Sequence, residues 1–356
     1  MAGSTHQSER GSPQEHYNHL VPANRGRSAL IAVFQHWSFD PFILVVAVVA
    51  GVHARGLRRH LKAIARSGRP TAPWIGQALI WWAALVVLLV AVISPVDYWS
   101  DTYLTSHVVQ HILLAFVAPP LLVLGAPWVP LLRGLPRPVA RLYGALLRRT
   151  RAKRPVDRSS GWRAAAAVRK LASRPWTPVV LFNANMLFWH FPGPFDLGAS
   201  NSSIHIWLQH GSFFGLGVCL WLQIFGSYPF RPALAPPGRI AALIASNVTM
   251  VLIAMTMVMF TRDLYPWYAS RGLAAQESDQ QIAGAILWVC GEVTFLPSIL
   301  YTVTRWLDTS GQSGTKNSAG RAVRDRDLYR LSLRPAASGE RVVGEGRTVD
   351  DKSVSA

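Results

Sequence analysis

Apolar stretches of about 20 residues recur along this chain, and they constrain its fold more than any other feature. Seven are apparent, each closed by turn residues or charges, at 37–54, 74–95, 103–126, 177–191, 204–225, 240–261 and 281–306. Stretches of this length are typical of transmembrane helices, because a backbone in lipid must satisfy its own hydrogen bonds. The sequence therefore predicts an all-α, polytopic membrane protein, built as a seven-helix transmembrane bundle.

The composition supports this fold class and divides the chain into regions. Half of the residues are hydrophobic, 15% are charged, and the mean hydropathy is +0.22 although both ends are polar. Residues 1–28 and 309–356 are rich in Ser, Gly, Arg and Glu, which predicts a disordered N-terminal tail and a disordered basic C-terminal tail. Residues 29–308 are predicted to form the transmembrane domain, with a basic cytoplasmic loop at 127–176.

The charges predict the orientation of the bundle. The net charge is +18, and the loop at 127–176 alone carries thirteen Lys or Arg against one acid, Asp157. In contrast, residues 96–104 and 191–203 contain aspartates and no Lys or Arg. Because cytoplasmic loops are rich in Lys and Arg, the N-terminus is predicted outside and the C-terminus in the cytoplasm. This distribution accounts for the positive charge without nucleic acid, and no nucleic-acid partner is expected.

Histidines are predicted at similar depth near the outer ends of several stretches. His107 and His111 are four residues apart and therefore lie on one face of the third helix. His190 ends the fourth stretch, and His205 and His210 open the fifth. The pair on the third helix is compatible with a hydrogen-bonded core pair and equally with metal or haem ligation. Several imidazoles in one layer favour a metal site.

Methionines add a second type of ligand to this layer. Met255, Met257 and Met259 occupy the outer half of the sixth stretch. A methionine-rich helix face is often flexible packing, but imidazole and thioether together suit copper, especially Cu(I). The spacings of Cys₄ or Cys₂His₂ zinc sites are absent from the sequence, and the few nearby carboxylates do not favour calcium or magnesium. Copper is therefore the expected metal, and the methionines are predicted to pass it inward.

Two further polar or helix-breaking features lie inside the apolar stretches. Pro119 and Pro120 remove two backbone donors, so the third helix is predicted to kink or unwind near its middle. Glu292 lies well inside the seventh stretch, and such an acid is expected to find a partner, for which Asn247 is a candidate.

Four motifs resemble a known family, the multi-pass CtaG family of cytochrome c oxidase assembly factors. The resemblance covers about residues 95–305 and is carried by "HVVQHILLAFVAPPLLVLGAP", "WHFPGPFD" with the following "IHIWLQHGSFF", "DLYPWYA" and "DQQIAGAILWVCGE". It implies a protein of the bacterial plasma membrane, not an enzyme, that handles or inserts copper for a haem–copper oxidase. The implied partners are cytochrome c oxidase subunits, above all the copper-bearing catalytic subunit.

The resemblance also assigns individual positions. His107 and His111 match an H-xxx-H motif, His190 follows Trp189 as in a W-H motif, and His205 and His210 match paired histidines of the next helix. Residues 279–281 match a D-Q-Q motif.

Two other functions remain compatible with the residues. A copper permease would need a polar path toward the cytoplasm, and a b-type cytochrome would use facing histidines of the third and fifth helices to hold haem. An enzyme is not expected, because the sequence has no nucleophile–base pair, glycine-rich phosphate loop or HExxH motif.

Overall fold

The described part of the protein is all-α. The computed structural model describes residues 36–37, 42–142, 145, 174–270 and 276–312. These residues form twelve α-helices and two π-helical segments. The α-helices are α1 (Phe42–Arg66), α2 (Ala72–Ile93), α3 (Pro95–Ser100), α4 (Leu104–Ile112), α5 (Ala118–Gly125), α6 (Trp128–Gly134), α7 (Thr177–His190), α8 (Pro192–Ser200), α9 (Gly211–Ile224), α10 (Pro236–Met259), α11 (Pro266–Ala269) and α12 (Gln276–Gln312). The π-helical segments are Leu113–Val117 and Ile204–His210.

The predicted regional boundaries are only partly covered by this description. The predicted N-terminal tail and most of the predicted basic loop lie outside the described residues, as does the C-terminal tail beyond Gln312. The chain divides after Val303 into two compact units. The described part of the second unit is the end of α12.

Four helices are long and apolar enough to cross a membrane: Ala72–Ile93, Leu104–Gly125, Pro236–Met259 and Ser278–Asp308, with mean hydropathies of 2.4, 2.0, 2.0 and 1.7 over their most apolar windows. The three other predicted stretches also coincide with helical segments, namely α1, α7 and residues 204–224. α1 carries cationic residues along its second half, and α7 has 14 residues. The described residues therefore form a multi-pass membrane protein with four such helices, and seven crossings remain a prediction.

The outer surface of the helices is apolar. Leu79 on α2, Val248 on α10 and Val293 on α12 are 65%, 52% and 68% exposed, respectively. Polar side chains such as His107 and Gln110 are buried instead. Apolar residues facing outward and polar residues facing inward are what a lipid environment requires.

The third stretch departs from the regular α-helix where its sequence predicted a break. The π-helical segment Leu113–Val117 separates α4 from α5, and Pro119 follows it in the first turn of α5. A proline cannot donate the i→i−4 hydrogen bond, so the backbone before it is free to widen into a π turn. Gly217 of α9 lies against this break, because a Cβ at that position would be 2.9 Å from Pro119 Cγ and 3.1 Å from the Ala115 carbonyl oxygen. The third stretch is thus widened just before the prolines and stays helical through them, so the predicted kink remains a prediction, and α9 lies close to the widened turn.

Candidate metal centre

The first two imidazoles of the centre lie on α4. His107 and His111 are one helical turn apart, and their ring centroids are 4.2 Å apart in an edge-to-face arrangement. The two side chains are 1% and 4% exposed. The shared helical face predicted from their spacing is confirmed, and both rings lie inside the protein.

The π-helical segment Ile204–His210 supplies two more imidazoles. The ring of His205 stacks on that of His107 at 4.8 Å and lies 4.1 Å from that of His210. In an α-helix, residues five apart point about 140° away from each other, given 3.6 residues per turn. The i→i+5 bonding of a π-helix brings them to nearly the same face, and π turns are often found at functional sites. The local widening of this helix therefore lets both histidines join one cluster, hereafter the imidazole cluster (His107, His111, His205 and His210).

The ligand atoms of three members are close enough to share one ion. The ring nitrogens available on His107, His111 and His205 lie within 4.8 Å of one another. His210 adjoins this trio, with its ring centroid 5.5 Å from that of His111. A group of buried, neutral nitrogen donors suits borderline and soft metal ions and not the oxygen-seeking calcium or magnesium.

Six buried ring nitrogens of the cluster have no partner in the part of the chain that the structure describes. Nε2 of His107 and of His205, and both ring nitrogens of His111 and His210, have no hydrogen-bond partner among the described residues. Buried polar atoms are almost always hydrogen-bonded, because an unsatisfied one costs about 1–3 kcal/mol. Six such nitrogens in one place make the cluster a candidate binding site.

A residue near the start of α12 caps the N-terminus of α4. The Asp279 carboxylate accepts hydrogen bonds from the backbone N–H of Leu104, at 2.6 Å, and of Thr105, at 3.2 Å. The residue before α4, Tyr103, provides no side-chain cap of its own. A carboxylate at a helix N-terminus satisfies free N–H groups and interacts favourably with the helix dipole. The aspartate of the D-Q-Q motif therefore fixes the helix that carries two imidazoles.

The side chain of Gln280, the next residue, hydrogen-bonds to backbone groups at the end of α10 and in the segment that follows it. Its side-chain NH₂ group lies 3.2 Å from the backbone oxygens of Met257 and Phe260, and its side-chain oxygen accepts from the backbone N–H of Leu264. The side chain is 3% exposed. Gln281 is exposed. The first two residues of the motif are thus structural links near the cluster.

His190 lies beside the cluster. Its Nδ1 is 2.6 Å from the carbonyl oxygen of Met186, and its ring lies 6.5 Å from that of Phe195, which in turn is 4.9 Å from the His107 ring. His190 and Met257 line a cleft of about 300 Å³.

The three predicted methionine ligands have different surroundings. Met257 is buried, with 1% exposure, and belongs to the main hydrophobic core. Met255 is half-buried, whereas Met259 is 67% exposed. Their participation in metal binding stays a prediction.

Burial also changes the acidity of groups in the segments that border the cluster. Burial raises the pKa of the Asp196 carboxyl, and the hydrogen bond from the Trp267 backbone N–H opposes this effect. Burial raises the pKa of Tyr265 strongly, and the nearby Asp196 charge raises it further. The Tyr265 phenol therefore stays protonated and donates to the His190 carbonyl oxygen at 3.2 Å.

The acid inside the last helix has the partner predicted for it. The Asn247 side-chain NH₂ donates to the Glu292 carboxyl oxygen at 3.1 Å. Asn183 donates to the Ser246 hydroxyl in the same way, linking α7 to α10. These polar pairs join helices within the bundle, and the Asn247–Glu292 pairing is confirmed.

Two buried histidines outside the cluster lie on α1. His53 stacks on Trp81 at 3.7 Å, and His60 contacts the Arg133 guanidinium through Nδ1 at 2.5 Å. Both pack against α2 or α6, so they join helices and are separate from the imidazole cluster.

Sequence reasoning missed some residues around the cluster. Tyr268 contacts His107 directly. Gln209 is fully buried between the two histidines of the π-helical segment, with no partner for its amide among the described residues. Tyr268 lies in the "DLYPWYA" motif, and its place in that motif was the sequence signal that could have identified it. No local pattern in the sequence predicts its contact with α4.

Comparison with known proteins gives one family and three curated relatives. The model of the family described as cytochrome c oxidase caa3 assembly factor (Caa3_CtaG) matches residues 51–309. An uncharacterised protein of Mycobacterium leprae is 25% identical over 294 residues, which cover 78% of this chain and 40% of that protein. Uncharacterised proteins of Mycobacterium bovis and Mycobacterium tuberculosis are each 26% identical over 288 residues, covering 76% of this chain and 39% of theirs. The chain thus spans about two fifths of the length of these relatives, and no solved structure gives a significant match.

Proposed function

This chain belongs to the cytochrome c oxidase caa3 assembly factor family, and we propose that it holds copper and transfers it to the oxidase during assembly. The copper is cargo: the protein binds it, keeps it from water and releases it to a copper-bearing oxidase subunit. The site of action is the outer face of a bacterial plasma membrane.

The observation that carries this proposal is a group of buried imidazoles, six of whose ring nitrogens have no hydrogen-bond partner among the described residues. The ligand atoms of His107, His111 and His205 lie within 4.8 Å of one another, and His210 adjoins them. Neutral nitrogen donors in an apolar surrounding favour Cu(I), which tolerates low coordination numbers and soft or borderline ligands. We assign these four histidines as the main binding site.

The accessory residues fit a route to this site. His190 and Met257 line one cleft beside the cluster, and Met255 and Met259 lie one helical turn apart on the same helix. Thioethers bind Cu(I) and exchange it readily, so the three methionines, together with the His190 imidazole, would pass the ion toward the cluster.

The proposed topology has seven crossings, with the N-terminus outside and the C-terminus in the cytoplasm. It rests on the agreement of seven apolar stretches with helical segments and on the segregation of Lys and Arg to alternate loops. In this orientation the imidazole cluster lies near the outer face, where a haem–copper oxidase receives copper for its binuclear centre.

The geometry favours a metal ion over haem. The imidazole rings contact one another directly, with centroids of neighbouring rings 4.1–4.8 Å apart. A haem held by two histidines lies between them, and rings in mutual contact leave no room for a porphyrin. The cluster therefore supports an ion-binding assembly factor and not a b-type cytochrome.

The binding assignment is tested with two matched double variants. His107→Gln with His111→Gln removes two buried imidazoles from α4, and His53→Gln with His60→Gln removes two from α1. Purified proteins are titrated with Cu(I) against a chromogenic chelator. We expect the α4 variant to lose Cu(I) binding at least 100-fold and the α1 variant to keep it. Equal affinity in both variants would refute the assignment.

The biological role is tested in cells. Deletion of the gene should lower the oxidase's bound copper and activity, and copper salt in the medium should restore part of both. A fully active, copper-replete oxidase in the deletion strain would contradict an assembly role.

A further inference from the structure

The Tyr268 hydroxyl lies between a backbone carbonyl and an imidazole of the cluster. Its oxygen is 2.5 Å from the carbonyl oxygen of Ser100 and 2.9 Å from Nδ1 of His107. Tyr268 is on the short helix α11 and is 5% exposed, so water does not compete for these bonds. A residue more than 160 positions along the chain thus contacts both the end of α3 and the cluster through one oxygen atom.

The donor and acceptor roles at this oxygen follow from its chemistry. A phenol has one hydrogen, and a carbonyl oxygen can only accept, so the hydrogen of Tyr268 is directed to Ser100. The contact with His107 then requires that Nδ1 carries a hydrogen and donates it to the phenol oxygen. In a neutral imidazole this leaves the lone pair on Nε2. Nε2 of His107 is the ring nitrogen that is buried without a partner among the described residues.

We propose that Tyr268 is a positioning residue that holds His107 in the Nδ1–H tautomer and thereby makes Nε2 the atom that binds the metal. This inference rests on the proposed copper-binding function of the imidazole cluster. A histidine that binds a metal usually donates its other N–H to an oxygen, which fixes the ring and makes it a better donor. Tyr268 provides that oxygen before any metal arrives.

Two other rings of the cluster lack such an anchor among the described residues. Both ring nitrogens of His111 and of His210 are without a partner among the described residues. Each of these rings is therefore free to offer either nitrogen, whereas His107 offers one. Tyr268 thus fixes the ring orientation and the tautomer of His107.

A matched pair of tyrosine variants tests this role. Tyr268→Phe removes the hydroxyl and keeps the ring. Tyr265→Phe removes a hydroxyl of the same motif that is equally buried, at 3% exposure, and that donates to the His190 carbonyl oxygen. Loss of a hydrogen-bond partner of a metal ligand lowers metal affinity about 10- to 100-fold, so we expect that loss of Cu(I) affinity in Tyr268→Phe. Tyr265→Phe should stay within about threefold of the unmodified protein, because it contacts no ring nitrogen of the cluster.

A second measurement does not depend on metal binding. In metal-free, unmodified protein carrying ¹⁵N-histidine, the nitrogen resonances of His107 should show a protonated Nδ1 and an unprotonated Nε2. In Tyr268→Phe the signals should shift toward a mixture of tautomers.

The outcomes separate this inference from the proposed function. A protonated Nε2 on His107 in the unmodified protein, or equal Cu(I) affinities for the two tyrosine variants, would overturn the role of Tyr268. If the unmodified protein binds no Cu(I), the proposed function fails, whereas the tautomer measurement still tests the hydrogen bond itself.

Discussion

Replacing Asp279 with alanine should loosen the start of the helix that carries His107 and His111. The carboxylate accepts two backbone hydrogen bonds there, one at 2.6 Å and one at 3.2 Å, and Leu104 is 3% exposed. A hydrogen bond to a charged group contributes about 1.5–3 kcal/mol, and the shorter bond should contribute most of the effect. We therefore expect the N-terminal turn of α4 to lose about 2–3 kcal/mol of stability, because no other side chain among the described residues caps it.

Hydrogen exchange measures this loss at the affected amides. A change of about 2–3 kcal/mol corresponds to exchange that is about 30- to 150-fold faster for Leu104 and Thr105 in Asp279→Ala. Ser278→Ala is the control, since it alters the neighbouring residue without touching the cap. Asp279→Asn should fall between the two, because an amide oxygen accepts but carries no charge. Exchange of both amides at the unmodified rate in Asp279→Ala would refute the capping argument.

Two other predictions concern helix geometry. Gly217→Ala places a Cβ 2.9 Å from Pro119 Cγ and should destabilise the protein by about 1–3 kcal/mol in thermal unfolding, whereas Gly215→Ala, with open space around it, should be neutral or stabilising. Equal unfolding temperatures for the two would contradict the close approach of α9 to the third stretch. Inserting one alanine after Trp207 places His205 and His210 six residues apart, a spacing that a single π turn does not bring to one face, and should lower Cu(I) affinity at least tenfold in chelator competition. Trp207→Ala keeps the five-residue spacing and should bind normally, so an insertion variant with unchanged affinity would contradict the shared face of His205 and His210.

Local patterns in the sequence predicted much of the fold. The apolar stretch at 103–126 agrees within about one residue with Leu104–Gly125, because hydrophobic length and closing charges are properties of neighbouring residues. The i, i+4 spacing placed His107 and His111 on one face for the same reason. The Asn247–Glu292 pair was predictable because an acid inside an apolar helix needs a partner.

The rest of the site depends on distant contacts or on helix register. The cap on α4 joins residues 175 positions apart, and the Tyr268–His107 contact joins residues 161 apart. No local pattern encodes which distant side chain meets a helix end. The π turn at Ile204–His210 is equally hidden, since an α-helical reading places its two histidines on different faces.

The cluster's mixture of one anchored ring and several unanchored rings suits transfer better than storage. A structural metal site fixes every ligand through a hydrogen bond, which strengthens binding and slows release. Here His107 is fixed by Tyr268, while His111 and His210 have no partner for either ring nitrogen among the described residues. Under the proposed function, a bound ion would keep one bond to the fixed ring while the others are exchanged for ligands of an incoming protein. Anchoring His111 as well should slow that exchange, which is the property that separates a metal carrier from a metal store.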